Sequence, residues 1–475
     1  MDAILDTRDQ ESLAASPGGR LSRRGLMLGA AGVAGAPWLA RSGFAAETAA
    51  EEHVLGPSDP DFRLVRDEFA RNFAERGEIG ASLCVIVDGQ VVVDLWGGTA
   101  RMETGEPWRS DTICHLWSAT KGATALCAHM LVSRGLLDLD RPVAEYWPEF
   151  GQSGKQGVTV RMLLCHQAGV PALRERLPDG AFYDWELMVD ALAAEEPFWE
   201  PGTRNGYHAL TFGFLVGEVV RRVSGRPLGA FFRDEVATPL GIDFWLGLPA
   251  EEEARTAPLL FPDPPLPGEA TSIFLEKAVT DPTSLPALVF FNTGGYTNPG
   301  ESDTRAAHEA VMGAVGGISN ARGLAHMYAA LIGGRRGVEL VDPDALVRMG
   351  RVAAATSLDA TGFIPTRWSL GFVKSMDNRG QPPGRQDSVI LGEAAFGHSG
   401  FGGCIGFVDP EARLAFGYTM NKMGQGTALN SRGQVLVDAV YRSLGYVSNT
   451  SGSWRAVAGE RTRASAPRRL KRSPR

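Results

Sequence analysis

Residues 59–77 place Phe62, Val65, Phe69 and Phe73 at three- and four-residue intervals against a charged opposite face. That pattern predicts an amphipathic helix, capped near Ser58 or Asp59. The period then shortens. Residues 82–87 and 91–96 are rich in β-branched side chains and flank Asp88-Gly89, which predicts a hairpin. Residues 117–134 are apolar on most sides (Ala119, Ala123, Ala125, Leu126, Met130, Leu131), as in a buried helix, and Gly135 stands where such a helix stops. Strand signals are few from 136 to about 303, where helices are expected over 160–166, 210–223 and 228–237. The stretch 259–300 is rich in Pro, Gly and Thr without a sustained period, so it reads as a long loop forming a wall or lid. Residues 317–332 are expected to be helical. Residues 404–408 and 414–420 predict a second hairpin, and 434–445 a closing helix. Strands at both chain ends with helices between predict an α+β fold. Its antiparallel sheet is built from both ends and flanked by helices, and a mostly helical lobe (about 136–303) is inserted.

The two termini follow different rules. Ser22-Arg23-Arg24-Gly25 precedes a Gly/Ala-rich apolar stretch and small residues at Ala45 and Ala46. A twin arginine in that setting reads as a Tat-type export signal over 1–46, which implies a periplasmic or extracellular protein. The apolar stretch is short and broken by Pro37, so no stable membrane insertion is expected once the signal is removed. Residues 451–475 read as a basic, solvated tail. The intervening 47–450 form the folded domain.

Of 475 residues, 44% are hydrophobic and 21% charged, which suffices for a large core without staples. The net charge of −8 gives no reason to expect nucleic acid as a partner. Five cysteines are widely spaced without a CxxC pair, which fits buried thiols and neither a disulfide framework nor a zinc site. No P-loop, HExxH or G-x-S-x-G is present, so no metal and no cofactor are expected.

Three segments carry candidate chemistry. In Ser118-Ala119-Thr120-Lys121 the serine and lysine share a helix face. A serine hydroxyl is a weak nucleophile until a base or a charge assists it. Tyr207-His208-Ala209 follows a turn cluster and precedes a helix, which allows Tyr207 to project into a cleft. Either Lys121 or Tyr207 can serve as the base that takes the serine proton, and spacing alone does not choose. The glycines of Gly397-His398-Ser399-Gly400-Phe401 permit close approach of backbone to substrate at a strand edge.

In order and approximate spacing these segments resemble the serine β-lactamase and penicillin-binding-protein superfamily: S-x-x-K, then the tyrosine-containing Y-x-N position, then the K-T-G position. The resemblance is nearest to the family VIII carboxylesterases, which are themselves similar to class C β-lactamases. Ala209 stands where the lactamase pattern has asparagine, and His398-Ser399-Gly400 replaces Lys-Thr-Gly. The resemblance implies that Ser118, Lys121 and Tyr207 are catalytic. It implies an oxyanion hole formed by the backbone N–H groups of Ser118 and Phe401, and substrate contacts from His208, His398, Ser399 and Gly400. The expected activity is hydrolysis of small, short-chain carboxylic esters through an acyl-enzyme. A β-lactamase or D-Ala peptidase and amidase, an acyltransferase, and a binding protein on a decayed hydrolase scaffold are the alternatives.

Overall fold

The computed structural model describes residues 54–265, 270–333 and 337–456; the export-signal reading and all but the start of the basic tail lie outside them. The first hairpin forms as its turn chemistry dictates. Asp88 (φ 49°) and Gly89 (φ 74°) are both left-handed, the requirement of a two-residue turn. They join β2 (Gly80–Val87) to β3 (Gln90–Arg101), and β1 (Val54–Leu55) pairs with the outer edge of β3. On its other edge β2 pairs with β9 (Leu414–Met420), the second arm of the second hairpin. The sheet continues through β8 (Ile405–Asp409), β7 (Phe396–Ser399), β6 (Val373–Lys374), β5 (Thr366–Trp368) and β4 (Ala354–Thr356). Its order is β1-β3-β2-β9-β8-β7-β6-β5-β4, and every one of these pairs is antiparallel. The two ends of the chain thus build one sheet, as the hydrophobic pattern predicts.

Helices cover both faces. The first two are α1 (Arg63–Glu75) and the buried α2 (Lys121–Ser133), which packs against α3 (Phe212–Ser224) in the inserted lobe. The sheet itself is flanked by α4 (Ala321–Ala329) and the closing helix α5 (Ser431–Ser443), which packs on α1. Along β8, Gly406 meets Tyr328 of α4, while the next residue, Phe407, stacks on Tyr441 of α5 at 6.4 Å. Successive side chains on a strand point to opposite faces, so the two helices lie on opposite sides. The approach of α4 depends on a glycine pair across the ladder, Gly406 and Gly417. A Cβ on Gly417 would lie 2.2 Å from the Ala321 carbonyl oxygen.

Several expectations need correction. The stretch 259–300 is not a bare loop: it holds helices Ile273–Thr280 and Leu285–Phe291. The second is started by Ser284, whose hydroxyl accepts the Ala287 N–H (3.2 Å), with Pro286 in the first turn. Residues 317–332 begin as a strand, Gly317–Ser319, and become helical only after Asn320, which caps α4 through its side-chain oxygen (2.9 Å to the Gly323 N–H). That strand joins Phe244–Leu246, Ile113–His115 and Thr256–Ala257 in a small second sheet, so the inserted lobe is less purely helical than its pattern implies. The folded body also passes residue 450. Trp454 is buried, stacks on Tyr441 at 5.8 Å and donates its indole N–H to Asp438 (2.9 Å), and Arg455–Ala456 pairs with Tyr446–Ser448. The five cysteines are buried thiols.

Candidate active site

Ser118 lies in a single 3₁₀ turn, Trp117–Thr120, that leads directly into α2, where the pattern predicts continuous helix. The turn is pinned by Thr120. Its hydroxyl donates to the Trp117 carbonyl (2.6 Å) and accepts the Gly317 N–H (2.9 Å). Trp117 pays with a left-handed backbone (φ 46°), a strained state for a bulky residue. Its ring is held edge-on against Phe401 (5.7 Å) and Tyr296 (6.1 Å).

Lys121, fully buried, reaches Ser118 Oγ at 3.0 Å. The same nitrogen lies 2.6 Å from the Ala209 carbonyl oxygen and 3.0 Å from that of Ala314. Its hydrogen bonds therefore go to a hydroxyl and two carbonyls, not to a carboxylate. Burial pushes the ammonium well below its ordinary value of 10.5, so the neutral amine is favoured. Tyr207 comes from a turn 89 residues away and donates its hydroxyl to Ser118 Oγ at 2.8 Å. Its ring stacks on Trp368 (5.2 Å, 9°), and its backbone N–H is held by Asp359 Oδ1 (3.0 Å). Burial, and secondarily the Asp359 charge, raises the phenol above 10, so it stays protonated.

The third segment arrives on β7. Gly400 is required where the strand end meets the Ser118 turn. A Cβ there would lie 2.2 Å from the Leu116 carbonyl oxygen and 2.4 Å from Cys404 Sγ. Beyond it, Phe401 lines the same cavity as Ser118, Tyr207, His398 and Ser399. His398 is buried, and its Nδ1 binds the Ser399 carbonyl (2.8 Å). Burial above all lowers it to about 3, so the ring is neutral. Its Nε2 has no hydrogen-bond partner among the described residues.

His208 does not take the expected place. It is buried and is not among the cavity-lining residues: Nε2 accepts the Val170 N–H (3.1 Å) and Nδ1 binds the Gly206 carbonyl (2.7 Å). Both ring nitrogens are used to shape the turn that carries Tyr207, which leaves none for a substrate. Gly400 likewise supplies clearance and does not line the cavity.

One cavity-lining residue, Asp359, escapes sequence reasoning. It is fully buried, and its Oδ1 accepts three backbone N–H groups: Tyr207 (3.0 Å), Thr361 (2.9 Å) and Gly362 (2.8 Å). Burial raises this carboxyl, and the three donors oppose that rise. The available signal, Asp359-Ala360-Thr361-Gly362, is an ordinary side-chain-to-backbone turn pattern and does not reveal that the turn faces a cleft. The rest of the wall is mainly apolar, with Trp117, Phe274, Phe290, Trp368, Met376 and Phe401 prominent.

The beta-lactamase family profile matches residues 66–440. The chain belongs to the beta-lactamase family. A relative described as "Esterase/beta-lactamase LipL" of Mycobacterium tuberculosis is 34% identical over 378 residues, covering 79% of this chain and 84% of that protein. Two solved structures share the fold. A family VIII carboxylesterase is 38% identical with a TM-score of 0.71, and a penicillin-binding-protein homologue from Caulobacter crescentus is 33% identical with a TM-score of 0.72. Each covers 82% of this chain and 100% of its own. This member of the beta-lactamase family is a serine hydrolase.

Proposed function

We propose that this hydrolase cleaves carboxylic esters through an acyl-enzyme on Ser118. One observation carries the reading: Ser118 Oγ sits between a buried amine and a partly buried phenol, at 3.0 and 2.8 Å, in the wall of an apolar cleft. Lys121, neutral in that setting, takes the serine proton as Oγ attacks the ester carbonyl. The N–H groups of Ser118 and Phe401 receive the oxyanion. Tyr207, still protonated, gives its proton to the departing alkoxide, and Lys121 restores it. Water then repeats the sequence on the acyl-enzyme and releases the acid. An alkoxide leaves more readily than an amide nitrogen, so loose fixing of the substrate suffices for esters. The names of the LipL relative and of the carboxylesterase neighbour support the same choice.

The test is a series of p-nitrophenyl esters of increasing chain length run beside nitrocefin, with Ser118→Ala as control. Higher kcat/KM for the short esters, abolished in the variant, is expected. Preference for nitrocefin would give the β-lactam reading, which the LipL description keeps open. We also propose export, resting on Arg23-Arg24 and the apolar stretch after it. Replacing both arginines with lysine is expected to leave the protein in the cytoplasmic fraction.

A further inference from the structure

Asp359 is the one carboxylate among the described residues lining the cleft, and no cationic side chain stands with it. Among the described residues lining it there is no lysine or arginine. Lys121 lies behind Ser118 with its nitrogen committed to Oγ and two carbonyls. Lys277 reaches the ring of Phe363 (5.3 Å) but does not line the cavity. His398 is a neutral ring. Asp359 uses its two oxygens unequally: Oδ1 takes three N–H donors, whereas Oδ2 has, among the described residues, only the Thr366 hydroxyl at a long 3.4 Å. Burial raises this carboxyl, whereas its three N–H donors bond and favour the ionised form, which rising pH favours further. A negative charge in a low-dielectric wall acts strongly on any charge brought beside it.

We propose that Asp359 sets the charge specificity of the cleft, admitting uncharged and cationic esters and rejecting esters that carry a carboxylate. The proposal rests on the ester reading above and narrows its substrate class. A carboxylate entering this cleft loses its water, finds no cation and meets a like charge. A quaternary ammonium entering it meets Asp359 and a wall that includes the aromatic rings of Trp117, Phe290, Phe401 and Trp368, side chains of the kind such a cation favours.

The experiment compares matched substrates at pH 8. For the acyl side these are the 4-nitrophenyl half-ester of glutaric acid, its methyl ester, and 4-nitrophenyl 4-(trimethylammonio)butanoate. For the alcohol side they are 4-acetoxybenzoate and its methyl ester. In the wild type, at least one anion is expected to have a kcat/KM ten-fold or more below its neutral partner, with the cation at or above the neutral ester. Asp359→Asn keeps an oxygen for the three N–H groups and removes the charge; the depressed anion-to-neutral ratio is expected to rise at least five-fold. Anions accepted within two-fold on both sides would overturn the proposal. So would equal rejection of anion and cation, which the wild type reads without any variant, or a discrimination that Asp359→Asn leaves intact. Failure to hydrolyse the methyl esters would instead sink the ester reading itself.

Discussion

A fully buried amine whose hydrogen bonds go to no carboxylate is costly to charge, and Lys121 is such a group. If the neutral amine is the base, activity requires its deprotonated form. The kcat/KM profile is then expected to rise with pH to a plateau whose midpoint lies far below 10.5, and Lys121→Arg, which stays charged, should remove turnover. The same burial makes the folded chain bind this proton less tightly than the unfolded chain does. Stability from Lys121 is therefore complete above the unfolded value and is lost as pH falls through the folded one. The Tm of the wild type minus that of Lys121→Met should increase from pH 6 to pH 9, since only the wild type gains stability as the proton is released. Tyr207→Phe removes the proton donor while keeping the ring on Trp368, and a loss of kcat on the order of 10²-fold is expected with little change in Tm. Ser118 and Lys121 were readable as a pair because three residues along a helical turn suffice to juxtapose them. Asp359 was not, because 152 residues separate it from the Tyr207 amide it holds, and only the fold closes that distance.

At the scale of elements, the decisive contact is between the end of β7 and the turn that bears Ser118. Gly400→Ala would drive a methyl into the Leu116 carbonyl and the Cys404 sulfur, both parts of the packed backbone junction. Overpacking of this kind costs about 1–3 kcal/mol. The expected result is a lower Tm together with a fall in kcat larger than any rise in KM, because the Phe401 amide moves relative to Ser118. The first hairpin was legible since Asp88-Gly89 imposes its own turn geometry. The short helices at Ile273–Thr280 and Leu285–Phe291 were not: eight and seven residues are too few to show a period, and proline and glycine around them mimic a loop. The strand Gly317–Ser319 was misread for the opposite reason. Its three residues run straight into a helix of matching hydrophobicity, and only the Asn320 cap marks the change.

Across the whole molecule, the core reaches Trp454, close to the last described residue. Trp454 lies between Tyr441 and Asp438, so Trp454→Ala should cost about 3–5 kcal/mol, read as a lowered midpoint in urea, and should leave the affinity for ester substrates unchanged. The basic composition after Arg455 hid this anchor, since charge runs are normally solvated. The sheet carries a further consequence, one of timing. Ser82 on β2 bonds Thr419 on β9, 337 residues later in the chain. At roughly 5–20 residues per second on a ribosome, the first hairpin waits about 15–70 s for its neighbour, with an open hydrogen-bonding edge and Val85 and Leu83 uncovered. A newborn chain of this kind needs shelter from its own copies until translation is nearly finished, and yield on overexpression should depend on chaperone supply more than on the final stability of the enzyme.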